Sequence, residues 1–399
     1  MTALRPSARL RLSTLGAVLL LALLSGCTQP GAGDGPVSYA AMGYDGQDVT
    51  GRDPGAWPDL EGTTLTILDH GAFSAFDDAA ARFTNLTGAT VEHIAADDAG
   101  TALNQAIRDR GSPSADVIYG IDNVLLARAE DAGILQPYTP RLAGRVPAGL
   151  VFFGEQDPWP TTPVDHGYIG LNLDLKHPDL TGAHVADLDD VRTQASHFVT
   201  EDPNTSSVGL GFLLTTIATY GEAGSAGGRG WHAYWEDLFE GGALVTAGWT
   251  EAYEQHFSGG YGPSIGGSGD RPIVASYTES PAYEAFYGRP VDELATPLTA
   301  PNSTFQQVQT MAILDGTDQL AAAQAWIEFT LTDAFQELAA PGNAVYPVVA
   351  GLDVNATYAG LDPAPGTFVP AAFDYRDLGE NLERWLGEWT ALCEENDCR

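Results

Sequence analysis

Positive charge is what this sequence has least of: one lysine, Lys176, and 18 lysines and arginines together stand against 53 aspartates and glutamates, for a formal charge of −35 over 399 residues. Such a surface repels phosphate backbones and anionic lipid headgroups, which excludes nucleic acid and acidic membranes as partners. The acidic excess also promotes solubility in general, so it names no partner. Cysteine is nearly as scarce, with only Cys27, Cys393 and Cys398. The eight histidines include no H-E-x-x-H spacing, and there is no G-x-x-x-x-G-K run, so zinc-protease and phosphate-cradling nucleotide chemistry have no support. Gly262-Pro263-Ser264-Ile265-Gly266 fits G-x-S-x-G, but that motif works only at a strained strand-to-helix turn. Here it sits in a glycine-dense stretch, Gly259 to Gly269, that reads as a loop with no strand before it. No internal repeat is visible, and no catalytic residue, metal site or cofactor is expected.

Long hydrophobic runs are also missing. The one apolar run near the start, Leu15 to Leu24, is too short to span a bilayer and follows Arg5, Arg9 and Arg11. Leu24-Ser25-Gly26-Cys27 closes it, a pattern that resembles the bacterial lipoprotein signal, in which cleavage makes Cys27 the new N-terminus and its thiol takes lipid. An ordinary signal peptide with a chance cysteine is the alternative. Either one places the protein outside the cytoplasm. Loss of residues 1–26 removes three arginines and no acids, leaving 15 basic against 53 acidic side chains, a charge of −38. In an oxidising compartment the remaining Cys393 and Cys398 are expected to form a local disulfide. The Glu394 to Asp397 segment between them offers no soft donors for a metal.

From Thr28 to about Leu60 the chain is rich in Gly, Asp and Pro and reads as a tether with a coil dimension of roughly 30 Å, of which Tyr39 or Trp57 could dock on the folded body. The body, about 340 residues, is long enough for two lobes. Leu65 to Leu68 reads as a strand, and a helix then starts at Ser74 with Asp77 as capping partner and Phe76, Ala79, Ala80, Phe83 and Leu86 on one face. Further strands are expected at Val91 to Ala95, Asp116 to Tyr119, Gly167 to Leu173 and Arg271 to Tyr277. Helices are expected at Thr101 to Arg110, after a Gly209-Leu210-Gly211 turn, and over Gln319 to Leu338, where Leu320 and Trp326 are to be buried. Alternating strand and helix predict a parallel sheet covered on both faces, with ligands beyond the carboxyl ends of the strands, near His70 and Asp122-Asn123.

Several polar and aromatic runs stand out: Gly120 to Asn123, Asp165-His166-Gly167-Tyr168, Asp202 to Ser207, Gly248 to Tyr253, and Ser276 to Tyr283. Aromatics beside turn formers suit a cleft that stacks on a flat ligand; a cationic ring there gains about 1–2 kcal/mol per aromatic face. In this order, and with Gly342-Asn343 and Tyr346-Pro347, they resemble the thiamine-binding proteins of bacterial ABC importers, from about Leu65 to Val348.

The resemblance implies an α/β, two-lobed, hinged periplasmic-binding-protein fold of type II, each lobe a mostly parallel sheet flanked by helices. The expected division is a signal at 1–26, a lipid-anchored tether at 27–61, one lobe from 62–163 with about 297–345, and a second from 164–296 with about 346–399. It implies thiamine or a phosphate ester as transported ligand, membrane permease subunits as partners, and a monomer. Trp249, Tyr277 and Tyr283 would wall the ligand's rings. Asp122 would supply a carboxylate, Ser206 and Ser207 would donate to the amine or phosphate end, and His70 would sit at the cleft. For Ser206 a helix N-cap, for the tyrosines core packing, and for Asp122 a structural cap remain alternatives. The sequence departs from the family at His70, where a tyrosine is usual, at Ala344, in place of a cleft tryptophan, and by the Gly259 to Gly269 insertion. The thiamine-degrading enzyme of the same fold needs a cleft cysteine, for which neither Cys27 nor the terminal pair is placed. Iron(III) binding usually uses adjacent tyrosines, absent here; polyamine or phosphonate binding stays open.

Overall fold

The computed structural model describes residues 57–398, except 72, 97, 181–183, 223–229, 261–268, 287–289, 291–292, 344, 353–367 and 370–372; the side chains of residues 283, 286, 340–342 and 368–369 are also outside the described set. Cys27, most of the tether and the Gly262 to Gly266 motif therefore lie outside the described residues.

The first half of the chain runs β1 (Thr64–Asp69), α1 (Phe76–Thr87), β2 (Thr90–Ala95), α2 (Ala99–Arg108), β3 (Val117–Asp122), α3 (Leu126–Ala132), β4 (Leu135–Gln136) and β5 (Thr162–Leu173). The middle contains α4 (Leu188–Thr193), β6 (Phe198–Glu201), α5 (Ser207–Tyr220), α6 (Gly230–Glu240), β7 (Leu244–Thr246), a π-helical turn at Glu251–His256, β8 (Ile273–Tyr277), α7 (Ser280–Phe286) and β9 (Thr296–Pro297). The chain returns through β10 (Thr304–Leu314), α8 (Leu320–Thr330), α9 (Asp333–Asn343), β11 (Tyr346–Pro347) and β12 (Phe368–Val369) to α10 (Tyr375–Glu395).

One sheet runs through the molecule in the order β2-β1-β3-β10-β5-β8-β6-β7. β1 pairs in parallel with β2 and β3, and β6 in parallel with β7 and β8. These two parallel halves are joined by the long antiparallel pair β5 and β10, whose partners include Gln309 with Asp165 and Gln307 with Gly167. Each half has its own core on both faces, as parallel strands require. Trp326, Phe83, Phe329 and Phe335 cover one face of the first half, and Leu103, Ile118 and Leu126 the other. In the second half Phe212, Trp235 and Trp389 pack one face and Tyr253 and Phe257 the other. α10 touches both halves: Gly379 approaches Ala127 of α3 so closely that a Cβ would lie 2.5 Å from its Cβ, and Trp389 meets Trp235 of α6 edge-on at 5.5 Å. Trp57, the described end of the tether, does dock, edge-on to Phe83 and Phe329.

Local expectations needed correction in four places. α1 begins at Phe76 without a side-chain cap; Ser74 is drawn elsewhere, its backbone N–H donating to Asn343 Oδ1 at 3.1 Å. Leu86 and Leu320 are exposed, because their helices bury a narrower stripe than the apolar spacing allows. Gly209 and Gly211 form no turn but lie inside α5, where Cβ atoms would come within 2.4 Å of the Glu201 carbonyl oxygen and 2.6 Å of Ile169; glycine there serves helix-to-sheet approach. The Gln319 to Leu338 stretch is two helices, parted where the Thr332 hydroxyl accepts from Phe335 N–H and starts α9.

Candidate functional site

Every parallel strand ends on the same edge of its half, so the carboxyl ends of β1, β3, β6, β7 and β8 deliver His70, Asp122, Glu201, Trp249 and Tyr277 beside the crossing strands. Gln307, on β10, connects the halves. Its Nε2 donates to Asp122 Oδ2 at 2.8 Å, and its Oε1 accepts from the Tyr277 hydroxyl at 3.3 Å. Asp122 Oδ1 accepts from Val124 and Leu125 N–H at 2.9 and 3.0 Å, so this carboxylate also caps the turn into α3. Burial raises its pKa, against the opposing pull of these hydrogen bonds.

Trp249 stacks on Tyr253, with centroids 5.0 Å apart and planes at 17°, and its Nε1 donates to Ser276 Oγ at 2.9 Å, one residue before Tyr277. Glu201 is fully buried, and neither carboxylate oxygen has a partner in another residue. Burial pushes it well above the ordinary carboxyl range, more than its own backbone N–H lowers it. Glu279 lies over β5 at Gly167, where a Cβ would collide with Oε1 at 2.1 Å; the missing side chain makes room for the carboxylate, which accepts from Tyr168 N–H at 3.3 Å. The Tyr277 hydroxyl is held above its usual range by burial first, then by Glu279, Asp122, Asp165 and Glu201.

On the other side of the crossing, Asp165 of β5 accepts from the Tyr119 hydroxyl through Oδ2, while its buried Oδ1 has no partner. Burial pushes Asp165 up to about 7, with the Tyr119 hydrogen bond opposing. Asn343 donates to the same tyrosine oxygen at 3.3 Å. His70 packs on the Tyr119 ring at 4.7 Å, and burial lowers its pKa against the opposing pull of Asp69. It fits because Gly120 stands beneath it at φ +110°, where a Cβ would approach the imidazole to 2.7 Å.

Ser206 is the N-cap of α5, its Oγ accepting from Gly209 N–H at 3.3 Å, and Ser207 is the exposed first residue of that helix. The Thr205 hydroxyl, bonded to the Ala247 carbonyl at 2.7 Å, ties this helix start to the loop carrying Trp249. Of the residues singled out from the sequence, Asp122, Tyr277, Trp249 and His70 therefore converge on the crossing strands, with Ser206 and Ser207 at the same edge. Tyr283 falls in α7, but its side chain lies outside the described residues, as does Cys27. Cys393 and Cys398 are joined in a disulfide at the end of α10. Tyr119, Asp165, Glu201, Glu279 and Gln307 were not among the candidates. The polar signal in an otherwise buried β10, Gln306-Gln307-Val308-Gln309, and the Asp165 to Tyr168 run were their visible traces.

A cavity of about 750 Å3 opens along the opposite face of the same strands, lined by His166, Tyr168, Gln306, Val308 and Tyr375. Elsewhere, among the described residues, one group has metal-like spacing, Glu222, His232 and Glu388. Arg384 already bridges its two carboxylates at 2.9 and 3.1 Å, which makes it an ion-pair network.

No protein-family model matches the chain. It is 28% identical over 302 residues to the thiamine-binding periplasmic protein of Escherichia coli (strain K12), covering 74% of this chain and 82% of that protein. To the protein of that name from Brucella abortus biovar 1 it is 26% identical over 306 residues, covering 75% and 82%. Among solved structures, a periplasmic thiamin binding protein superposes with a TM-score of 0.67 at 23% identity, over 84% of this chain and 98% of that one. Iron-bound HitA from Pseudomonas aeruginosa superposes with a TM-score of 0.64 at 18% identity, over 83% and 99%. The fold is that of two-lobed periplasmic binding proteins, and the likeness read from the ordered motifs holds across three quarters of the chain. The similar proteins carry names of binding proteins and not of enzymes.

Proposed function

We propose that this chain is the extracytoplasmic capture protein of an ABC importer, binding thiamine or one of its phosphate esters and delivering it to membrane permease subunits. Its relatives bear the thiamine-binding name. The observation that carries the ligand is a cluster of acids: Asp122, Asp165, Glu201 and Glu279 are all buried and raise the Tyr277 hydroxyl, and no ion pair joins Asp122, Asp165 or Glu201 to a described lysine or arginine. Buried carboxyls such as Asp165 and Glu201 either hold protons or bind a cationic guest. A thiazolium ring is such a guest, and the stacked Trp249 and Tyr253 offer it an aromatic wall. Ser206, Ser207 and the α5 N-terminus supply donors for a phosphate tail.

The reading includes two lobes, 62–163 with about 297–345 and 164–296 with about 346–399, with β5 crossing the boundary and pairing with β10 of the first lobe. Ligand enters between open lobes, and contacts from both sides stabilise closure. The chain acts as a monomer outside the cytoplasm, anchored to the cell membrane through lipid on Cys27. Titration with thiamine should quench tryptophan fluorescence saturably, and Trp249→Ala should weaken binding by about tenfold or more, the loss of one stacking face. A response to ferric ion or spermidine with none to thiamine or its phosphates would reject the ligand.

A further inference from the structure

Asp165 is a buried acid on the strand that crosses between the halves. It sits on β5 where the sheet passes from one half to the other, paired in register with Gln309 of β10 and with Pro347 of β11. It is 1% exposed, yet one carboxylate oxygen has no partner. The groups packed around it are few in kind. From β3 comes the Tyr119 hydroxyl, itself acted on by Asp69 of β1; from α9 comes Asn343 and from β10 the uncharged Gln309. From β11 come Pro347 and Tyr346, the latter stacked on His166, whose own ring burial holds neutral down to about 4. Beyond Gln307 stand the acids Asp122, Glu201 and Glu279, which with Asp165 surround the Tyr277 hydroxyl. Among the described residues, no lysine or arginine pairs with Asp165.

A buried acid in this setting retains its proton near neutral pH, since ionising it would leave a bare charge. The unpartnered oxygen makes it a receptor for whatever brings positive charge into the cleft. We infer that Asp165 is a cation-binding residue of the site that releases its proton to solvent when a cationic ligand enters, so that capture is coupled to proton release. The bond broken is the carboxyl O–H, the proton leaves to buffer, and the carboxylate then faces the ligand's charge; no electrons move. This rests on the cationic-ligand reading of the same site. It adds that affinity follows pH in a set direction: full where Asp165 is already ionised, and falling as pH drops through about 7, because binding must then expel the proton.

Calorimetry of thiamine binding in buffers of different ionisation enthalpy tests it. At about pH 6 the wild type should release about one proton per thiamine bound, and affinity should fall toward tenfold per pH unit below about pH 7. Asp165→Asn should bind thiamine more weakly, with proton release abolished and the pH slope flattened. Thiamine binding whose heat is independent of buffer, or proton release that persists in Asp165→Asn, overturns the inference and leaves the ligand intact. Absence of thiamine binding at any pH instead removes the ligand reading, and this inference with it. Should Asp165→Asn not fold, Glu201→Gln decides, since it removes the other strongly raised acid: about one proton still released per thiamine at about pH 6 supports the inference, and its loss overturns it.

Discussion

At the scale of single residues, Glu201 shows what a buried carboxyl costs a core. A fully buried carboxyl without a partner in another residue destabilises the fold, because folding removes it from water and returns nothing. Its folded pKa lies well above the unfolded one. The folded state therefore binds the extra proton, and stability falls as pH climbs from the unfolded carboxyl range through the folded one. Glu201→Gln has no charge to bury, so it should raise the melting temperature at about pH 8, corresponding to about 1–3 kcal/mol, with little change at about pH 4. A thermal melt at the two pH values checks this; equal effects at both would show that charge is not the cause. Tyr277 and Asp122, by contrast, are tied into hydrogen bonds that meet at Gln307, and their positions are set by that side chain as much as by their own strands.

Among the elements, α5 and the crossing pair matter most. α5 is apolar around nearly its whole circumference because it is enclosed between β5, β6 and α6, and its first turn lies directly on the Glu201 carbonyl. Gly211→Ala would drive a methyl into Ile169, on the crossing strand, at 2.6 Å. We expect a loss of about 1–3 kcal/mol of stability from overpacking, read as a lower urea midpoint. Ser206→Ala should cost about 0.5–2 kcal/mol through the lost cap alone. The length of β5 and β10, 12 and 11 residues, lets one hydrogen-bonded ladder serve both halves, so a change of angle between halves must bend or slide these two strands.

For the whole molecule, the sheet order and the position of α10 set what closure can do. α10 joins α3 of the first half to α6 of the second, and the disulfide between Cys393 and Cys398 fastens its last turn. In the chain-entropy account a loop this short contributes about 2 kcal/mol, so reduction should lower the melting temperature modestly while leaving thiamine affinity nearly unchanged. Loss of binding in step with reduction would instead mean that the end of α10 takes part in closure. The full chain carries a net charge of −35 and its cleft is acidic as well, so raising ionic strength should slow the association of a cationic ligand.

The sequence by itself carried the class of fold, the strand-and-helix alternation, the terminal disulfide pair and the ordered motifs that tie the chain to binding proteins. These depend on local periodicity and spacing, which neighbours in the chain can express. Asp122 was legible from the end of its strand, and Trp249 and Tyr277 from their place in the ordered motifs that resemble the binding-protein family. Asp165 was visible only as the head of one such run, and Glu201 and Gln307 were not singled out, because a lone polar residue in a buried strand reads as an interruption. The pairing of β5 with β10, more than a hundred residues apart in the chain, brings Asp165 and Gln307 together, and the pairing of β6 with β8 sets Glu201 beside the strand of Tyr277. Their chemistry is decided by burial, a property of the folded molecule. A carboxyl that would be an ordinary anion in the unfolded chain becomes, on the crossing strand, a group held near its midpoint at neutral pH.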